Sequence, residues 1–363
     1  MSWYVIDVID KAMERTRTFL FEPFNFTKWL KLALIVFFIG GSGGFNSGNG
    51  SSYRSSGDES DVSWIPDSFN DFISNLSHHI SSYSDTTMLI TIALVLLLIF
   101  VIVIILGYIG STMEFVLVES LVSNDVRVRE YFKKFMGKGL ALYILRIILF
   151  LLYILVIIAV MVPFISQLDS DFDFLQNMGL IIAMVLSVLV VIVIMSILLS
   201  IITSFINMAI PVSMYQSSGL FSAIGSVFRQ FRVDWKQIFI YWIGRGILGI
   251  TVAIMAGIIG LIILVILLLI LGFIDLGVYF ILNMILSGTV LWPLLISIVI
   301  VELLILSFVS AIIRMPFAVF MKYHMLSFLE LWYPLKIPMF DEQHSVSGNS
   351  SGQLPEESVV SEE

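Results

Sequence analysis

Cysteine is absent from this chain of 363 residues, and histidine occurs only four times. The missing cysteines exclude disulfides, thiolate nucleophiles, cysteine-bound zinc and iron–sulfur clusters. With so few histidines, no Ser/His/Asp or HExxH pattern appears, and the glycine run 40–44 lacks the Lys-Ser/Thr of a phosphate loop. We therefore expect a protein that is not an enzyme and that uses no cofactor or metal ion.

Charged residues are scarce as well. They make up 13% of the chain, hydrophobic residues make up 59%, and the mean hydropathy is +1.02. Soluble domains average about 25% charged and about 45–50% apolar residues, so both departures indicate a membrane protein. The basic residues stand beside apolar segments and form no separate basic domain, which argues against nucleic acid as a partner.

The apolar residues form runs long enough to cross a bilayer. The clearest run, Met88–Leu106, has 19 residues and no charge. A run of about 18 or more predicts a span, because only a helix satisfies its backbone groups in hydrocarbon. Spans are predicted at 88–110, 140–163, 179–206, 243–272 and 289–313, with a weaker, glycine-rich first span at 27–43. The predicted fold class is an all-α membrane protein, a six-span helical bundle with cytoplasmic amphipathic helices.

The segments around the spans complete the predicted organisation. Apolar positions three or four apart predict that residues 1–24 form an interfacial amphipathic helix, namely Val5, Ile9, Ala12, Met13, Thr16 and Leu20. The alternative is a short helix packed on the cytoplasmic side. The other parts are the first span (25–45), an outer polar loop (46–87), a five-span bundle with inner amphipathic loops (88–340) and a disordered cytoplasmic tail (341–363). Residues 273–288 are apolar enough for an interfacial or re-entrant piece.

The positions of lysine and arginine predict the orientation. Eighteen of the 19 fall on one predicted side of the membrane, while the loops on the other side carry acids such as those at 169–173. Because basic loops stay inside, both termini are predicted to be cytoplasmic.

Three charged residues within or beside the spans are candidates for a charge site. Glu302 is the one carboxylate near a span centre. An intramembrane charge costs about 2.5–3.5 kcal/mol, which favours either a proton or cation site or a protonated or arginine-paired structural role. Arg146 and Arg245 lie near the inner ends of the third and fifth spans. They either snorkel to lipid phosphates or pair with Glu114, Glu119 or Glu302 to close an inner gate.

Two inner loop segments, 127–138 and 229–236, interleave basic residues with aromatic ones. The candidate lipid-facing residues are Arg127, Arg129, Lys133, Lys134, Arg229, Arg232 and Lys236. This pattern is typical of contact with the anionic inner leaflet. Its alternatives are a solvated helix face and a docking patch for a protein. The partners expected are membrane lipids, and the pattern also accommodates a homo-oligomer or a membrane partner protein.

The chain opens with Ser2-WYVIDVIDKAMERT and Pro23-FNFTKWLKLALIVFFIGGSGGFN, and it contains Ala209-IPVSMYQ. These segments resemble a family of uncharacterised archaeal multi-pass membrane proteins. The chain is more distantly similar to the membrane region attached to some glycerophosphodiester phosphodiesterases, without their catalytic barrel. The resemblance implies the plasma membrane of an archaeon and brings no known activity.

Two functional hypotheses follow. The first is a non-enzymatic multi-pass membrane protein that organises lipids or partner proteins through its inner amphipathic helices. The second is a small-solute or ion transporter that uses Glu302 as an intramembrane carboxylate site.

Overall fold

The computed structural model describes residues 4–41, 85–165, 178–286, 288–334 and 337–340, and within them the only regular elements are helices. Eight helices are present in these ranges: α1 Tyr4–Phe21, α2 Phe26–Gly41, α3 Asp85–Ser123, α4 Val128–Ile165, α5 Met178–Tyr215, α6 Leu220–Val233, α7 Trp235–Ile285 and α8 Gly288–Trp332. The predicted all-α class is confirmed. Most of the predicted outer polar loop, the acidic 169–173 segment and the predicted tail lie outside the described residues.

Five helices, α3, α4, α5, α7 and α8, are long and apolar enough to cross a membrane. They contain 38 to 51 residues. At 1.5 Å per residue they are about 57–77 Å long, well beyond the roughly 30 Å of bilayer hydrocarbon. A sixth span is counted if α1 and α2 are taken together, although their directions differ by 119°. The chain is therefore a multi-pass membrane protein with five or six spans.

The two ends of the bundle differ sharply in packing. The buried residues concentrate where α3, α5 and α8 end and where α2, α4 and α7 begin. The described basic residues share this end, which we call the basic end. At the opposite, apolar end the side chains are mostly exposed, and residues 89–105 of α3 form an unbroken exposed run. The protein thus builds a solid core at the basic end and presents apolar surface at the other.

Helix α1 packs on protein along one face. From its predicted apolar stripe, Ala12, Thr16 and Leu20 are buried, while Met13 is exposed, and α1 makes its main contacts with α8. Arg15, only 3% exposed, binds both Glu330 and Ser327 of α8. The buried part of the stripe is therefore covered mainly by α8, and the interfacial position of α1 stays a prediction.

The helices run further than the predicted spans. The basic segment 127–138 is no separate helix, since α4 starts at Val128 and continues through it. Residues 273–285, considered for an interfacial or re-entrant piece, continue α7 without a break. The second inner segment, 229–236, is divided between the end of a separate helix, α6, and the start of α7, with Asp234 between them. Hydropathy detects the lipid-facing part of a helix and misses turns that are buried in protein.

Candidate functional site: a polar layer and a basic aromatic surface

A layer of polar side chains crosses the bundle where the solid core meets the apolar end. We call it the polar layer, and its members come from five helices: Ser111, Glu114, Arg146, Asn207, Arg245 and Lys322. The α-helical period places Ser111 and Glu114, three residues apart, on one face of α3. Polar groups in such surroundings need partners, because an unpaired buried polar group is costly.

Arg146 of α4 is held by α3. Its Nη2 donates to Glu114 Oε1 at 2.6 Å and its Nη1 donates to Ser111 Oγ at 3.1 Å. The Glu114 side chain is 2% exposed and that of Arg146 is 20% exposed. The structure thus brings Arg146 to one of the three carboxylates considered for it, which makes this pair a buried link between α3 and α4.

Arg245 of α7 has different partners. Its Nη1 donates to Tyr241 Oη at 2.8 Å and to the carbonyl of Met321 at 3.3 Å. Tyr241 is itself buried and stacks on Phe328, with ring centroids 4.2 Å apart. Within the described residues, no carboxylate lies at ion-pair distance from Arg245. Its guanidinium is therefore positioned by neutral groups.

Lys322 of α8 completes the polar layer. Its Nζ makes one long hydrogen bond, 3.4 Å, to Asn207 Oδ1 of α5. Glu114, Arg245 and Arg146 all lie close enough to act on its charge. Around Lys322 the layer therefore contains more positive charge than negative charge.

The other two carboxylates considered for the arginines lie elsewhere. Glu119 binds Lys134 at 2.6 Å and accepts a hydrogen bond from Tyr215 at 3.0 Å. Glu302 is partly exposed on α8, and Asp275 of α7 lies close enough to act on its carboxyl group. The neighbour of Glu302 is therefore another acid and not an arginine. Glu302 stands 20 residues, about 30 Å, along α8 from Lys322.

A second polar region lies on the outside of the basic end, on α6 and the start of α7. Leu220, Ala223 and Val227 bury one face of α6. The opposite face and the first turns of α7 expose both aromatic and basic side chains, namely Phe221, Phe228, Arg229, Arg232, Trp235, Lys236 and Phe239. We call these residues the basic aromatic surface. Arg232 lies over the Phe228 ring at 5.0 Å.

The four predicted lipid-facing residues of the first inner segment are exposed too, but two of them are ion-paired. Arg127 binds Asp125 at 2.7 Å and Glu130 at 3.3 Å, and Lys134 binds Glu119. The hydrogen bond that Arg127 donates to Asp125 raises the pKa of Arg127. By contrast, Arg129, Lys133, Arg229, Arg232 and Lys236 have no carboxylate at ion-pair distance within the described part of the chain. Uncompensated basic charge is therefore most concentrated on the basic aromatic surface.

The sequence matches a protein-family model over most of its length. The family model of DUF7544, a family of unknown function, matches residues 3–335. The chain belongs to DUF7544. No curated protein and no solved structure matches it. The predicted membership of an uncharacterised family is thus confirmed, while the archaeal and phosphodiesterase resemblances stay predictions.

Two features of this DUF7544 chain, Lys322 and the Arg15–Glu330 pair, could not be recognised from the sequence. Lys322 lay in a semi-polar segment that gave no reason to place it beside Glu114 and Arg245. The Arg15–Glu330 pair joins residues 315 positions apart, and nothing in a single sequence signals such a contact. Among the described residues, no group of three or more histidines, aspartates and glutamates is arranged to bind a metal ion.

Proposed function

We propose that this DUF7544 protein is a non-enzymatic membrane protein that organises anionic lipids at the cytoplasmic face of the plasma membrane. The observation that carries the proposal is the basic aromatic surface. Exposed aromatic rings alternate there with basic side chains that have no ion-pair partner among the described residues. They lie on α6, whose other face is buried in the core, and on the first turns of α7.

The chemistry of this surface suits a lipid headgroup region. Aromatic side chains enter the boundary between headgroups and acyl chains, and basic side chains attract anionic headgroups by about 1 kcal/mol each near the surface. A solvated helix face explains the cations but not the exposure of Phe221, Phe228 and Trp235, which are 60%, 43% and 54% exposed. An interfacial position explains both.

Replacing Arg229 and Arg232 together by glutamine should lower the preference of the protein for anionic lipid. Each lost charge removes about 1 kcal/mol of attraction at the lipid sites beside α6. Spin-labelled phosphatidylglycerol and phosphatidylcholine in vesicles measure the preference as the ratio of motionally restricted lipid. In the wild type this ratio should fall as salt rises, because ions screen exposed charges over about 8–10 Å.

The matched control is the double variant Arg17→Gln with Arg127→Gln. It loses the same two charges at the basic end, but both arginines are exposed and already ion-paired, to Glu22 and Asp125. We expect it to keep most of the lipid preference. Equal losses in the two double variants would mean that net charge sets the preference and that the basic aromatic surface does not.

A second candidate function, transport of an ion or small solute, is favoured by one observation, the proximity of Glu302 on α8 to Asp275 on α7. Two neighbouring intramembrane acids can share a proton, and such a shared proton is an element of proton coupling. The groove found between α4 and α5, about 540 Å³, is lined by apolar side chains and offers no polar route. We therefore rank transport second.

The transport hypothesis has a direct test in vesicles containing the purified protein. If transport depends on the shared proton, both Glu302→Gln and Asp275→Asn should abolish pH-driven proton flux, measured with an entrapped pH-sensitive dye. Ser307→Ala, an exposed change five residues from Glu302 on α8, is the control. Flux that is absent from the wild type, or unchanged in both acid variants, removes this candidate.

A further inference from the structure

We propose that Lys322 and Arg245 form a binding site for a phosphate-class anion inside the polar layer. This site is distinct from the basic aromatic surface and does not depend on the function proposed for it. Three properties of the layer support this site: its net charge, the hydrogen-bond donors left over, and the position of the two side chains.

The polar layer carries an excess of positive charge. The ionisable groups of the polar layer are one carboxylate, Glu114, and three basic groups, Arg146, Arg245 and Lys322. Glu114 is already bound to Arg146 at 2.6 Å. With all four ionised, the layer carries two positive charges in excess. Excess charge removed from water is costly unless it is paired, so a bound anion would stabilise this arrangement.

Lys322 and Arg245 supply hydrogen-bond donors for an anion. A lysine ammonium has three N–H donors and an arginine guanidinium has five. Among the described residues, Lys322 makes only its long hydrogen bond to Asn207, and Arg245 donates only through Nη1. The remaining N–H groups of both residues are available to oxygen acceptors. A tetrahedral oxyanion accepts several such bonds at once, and those from charged donors are the strongest.

An anion can reach both side chains from outside the core. Arg245 and Lys322 are partly exposed, whereas Tyr241 and His324 beside them are fully buried. The two cations therefore stand at the margin of the core, where the exposed apolar end begins. A lipid phosphate at the boundary between hydrocarbon and headgroups would reach this position, and so would a soluble phosphate arriving from the basic end.

The test measures anion binding by the purified full-length protein. One arm titrates inorganic phosphate in detergent. The other compares nanodiscs of phosphatidylcholine with and without phosphatidylglycerol, and the readouts are the thermal midpoint and lipid retention in native mass spectrometry. We expect the wild type to be stabilised in at least one arm. Lys322→Gln and Arg245→Gln should bind at least about tenfold more weakly, as loss of a charge-assisted hydrogen bond implies.

The controls separate this site from a structural role and from the surface. Lys322→Arg keeps the positive charge and should keep the stabilisation by anions. This variant therefore tests the site even if Lys322→Gln does not fold. Arg17→Gln, an exposed charge loss, and Arg229→Gln with Arg232→Gln should both retain the tightly held anion. A response to inorganic phosphate assigns the site to free anions, and a response to phosphatidylglycerol alone assigns it to lipid. A wild type that responds in neither arm, or glutamine variants that respond like the wild type, would overturn the proposal.

Discussion

Arg146→Met should destabilise the folded protein by about 3–5 kcal/mol, the cost of removing one partner of a buried ion pair. The reason is that the Glu114 carboxylate, 2% exposed, loses the guanidinium that binds it at 2.6 Å. The Ser111 hydroxyl loses its guanidinium contact at the same time. The midpoint of unfolding in a detergent titration measures the change.

Two further variants show whether the pair itself is responsible. Glu114→Gln should cost less, because the remaining Arg146 is 20% exposed and can move its charge toward water or lipid phosphate. The double variant should be more stable than the sum of the single losses predicts, since it removes both members of the ion pair together. Additive losses would show that Arg146 and Glu114 do not depend on each other.

Gly139→Ala should cost about 1–3 kcal/mol, the usual effect of inserting a methyl group into a closely packed contact. An added Cβ would overlap the hydroxyl of Thr112 and lie 2.8 Å from the Thr112 Cα on α3. A backbone atom cannot rotate away as a side chain can, so α3 and α4 would have to separate. The thermal midpoint of the detergent-solubilised protein reports the loss.

Gly137 is a matched control two residues away on the same helix. A Cβ there meets nothing within 4 Å, because Gly137 lies on the exposed face of α4. Gly137→Ala should therefore raise the thermal midpoint, since alanine favours a helix over glycine by about 1 kcal/mol. Similar shifts in the two variants would contradict the close α3–α4 contact.

Much of the fold could be predicted from the sequence, because helices that face lipid hydrocarbon need long runs of uncharged, apolar residues. Residues 89–106 lack charge because they face hydrocarbon, and they are indeed exposed in α3. The ends of the helices could not be predicted. The turns of α3 that contain Glu114 and Glu119 are buried among other helices, and their mixed composition carries no hydropathy signal.

The candidate site was predictable only in part. The seven exposed basic residues and Arg146 stand out because their charges interrupt or border apolar runs. Which charges are compensated is a tertiary property, decided by contacts such as Arg127 with Asp125 or Arg146 with Glu114. Lys322 becomes notable only when α5, α7 and α8 are brought together around it.

The uninterrupted course of α7 has a consequence for the surrounding bilayer. Residues 246–285 contain one charged residue, Asp275, and span about 60 Å, twice the thickness of the hydrocarbon. Such hydrophobic mismatch is relieved by strong tilting, by local thickening of the membrane, or by projection beyond it. α8 runs antiparallel beside α7 and must adjust with it. The pair should therefore make the protein sensitive to bilayer thickness and favour its accumulation where the membrane is thickest.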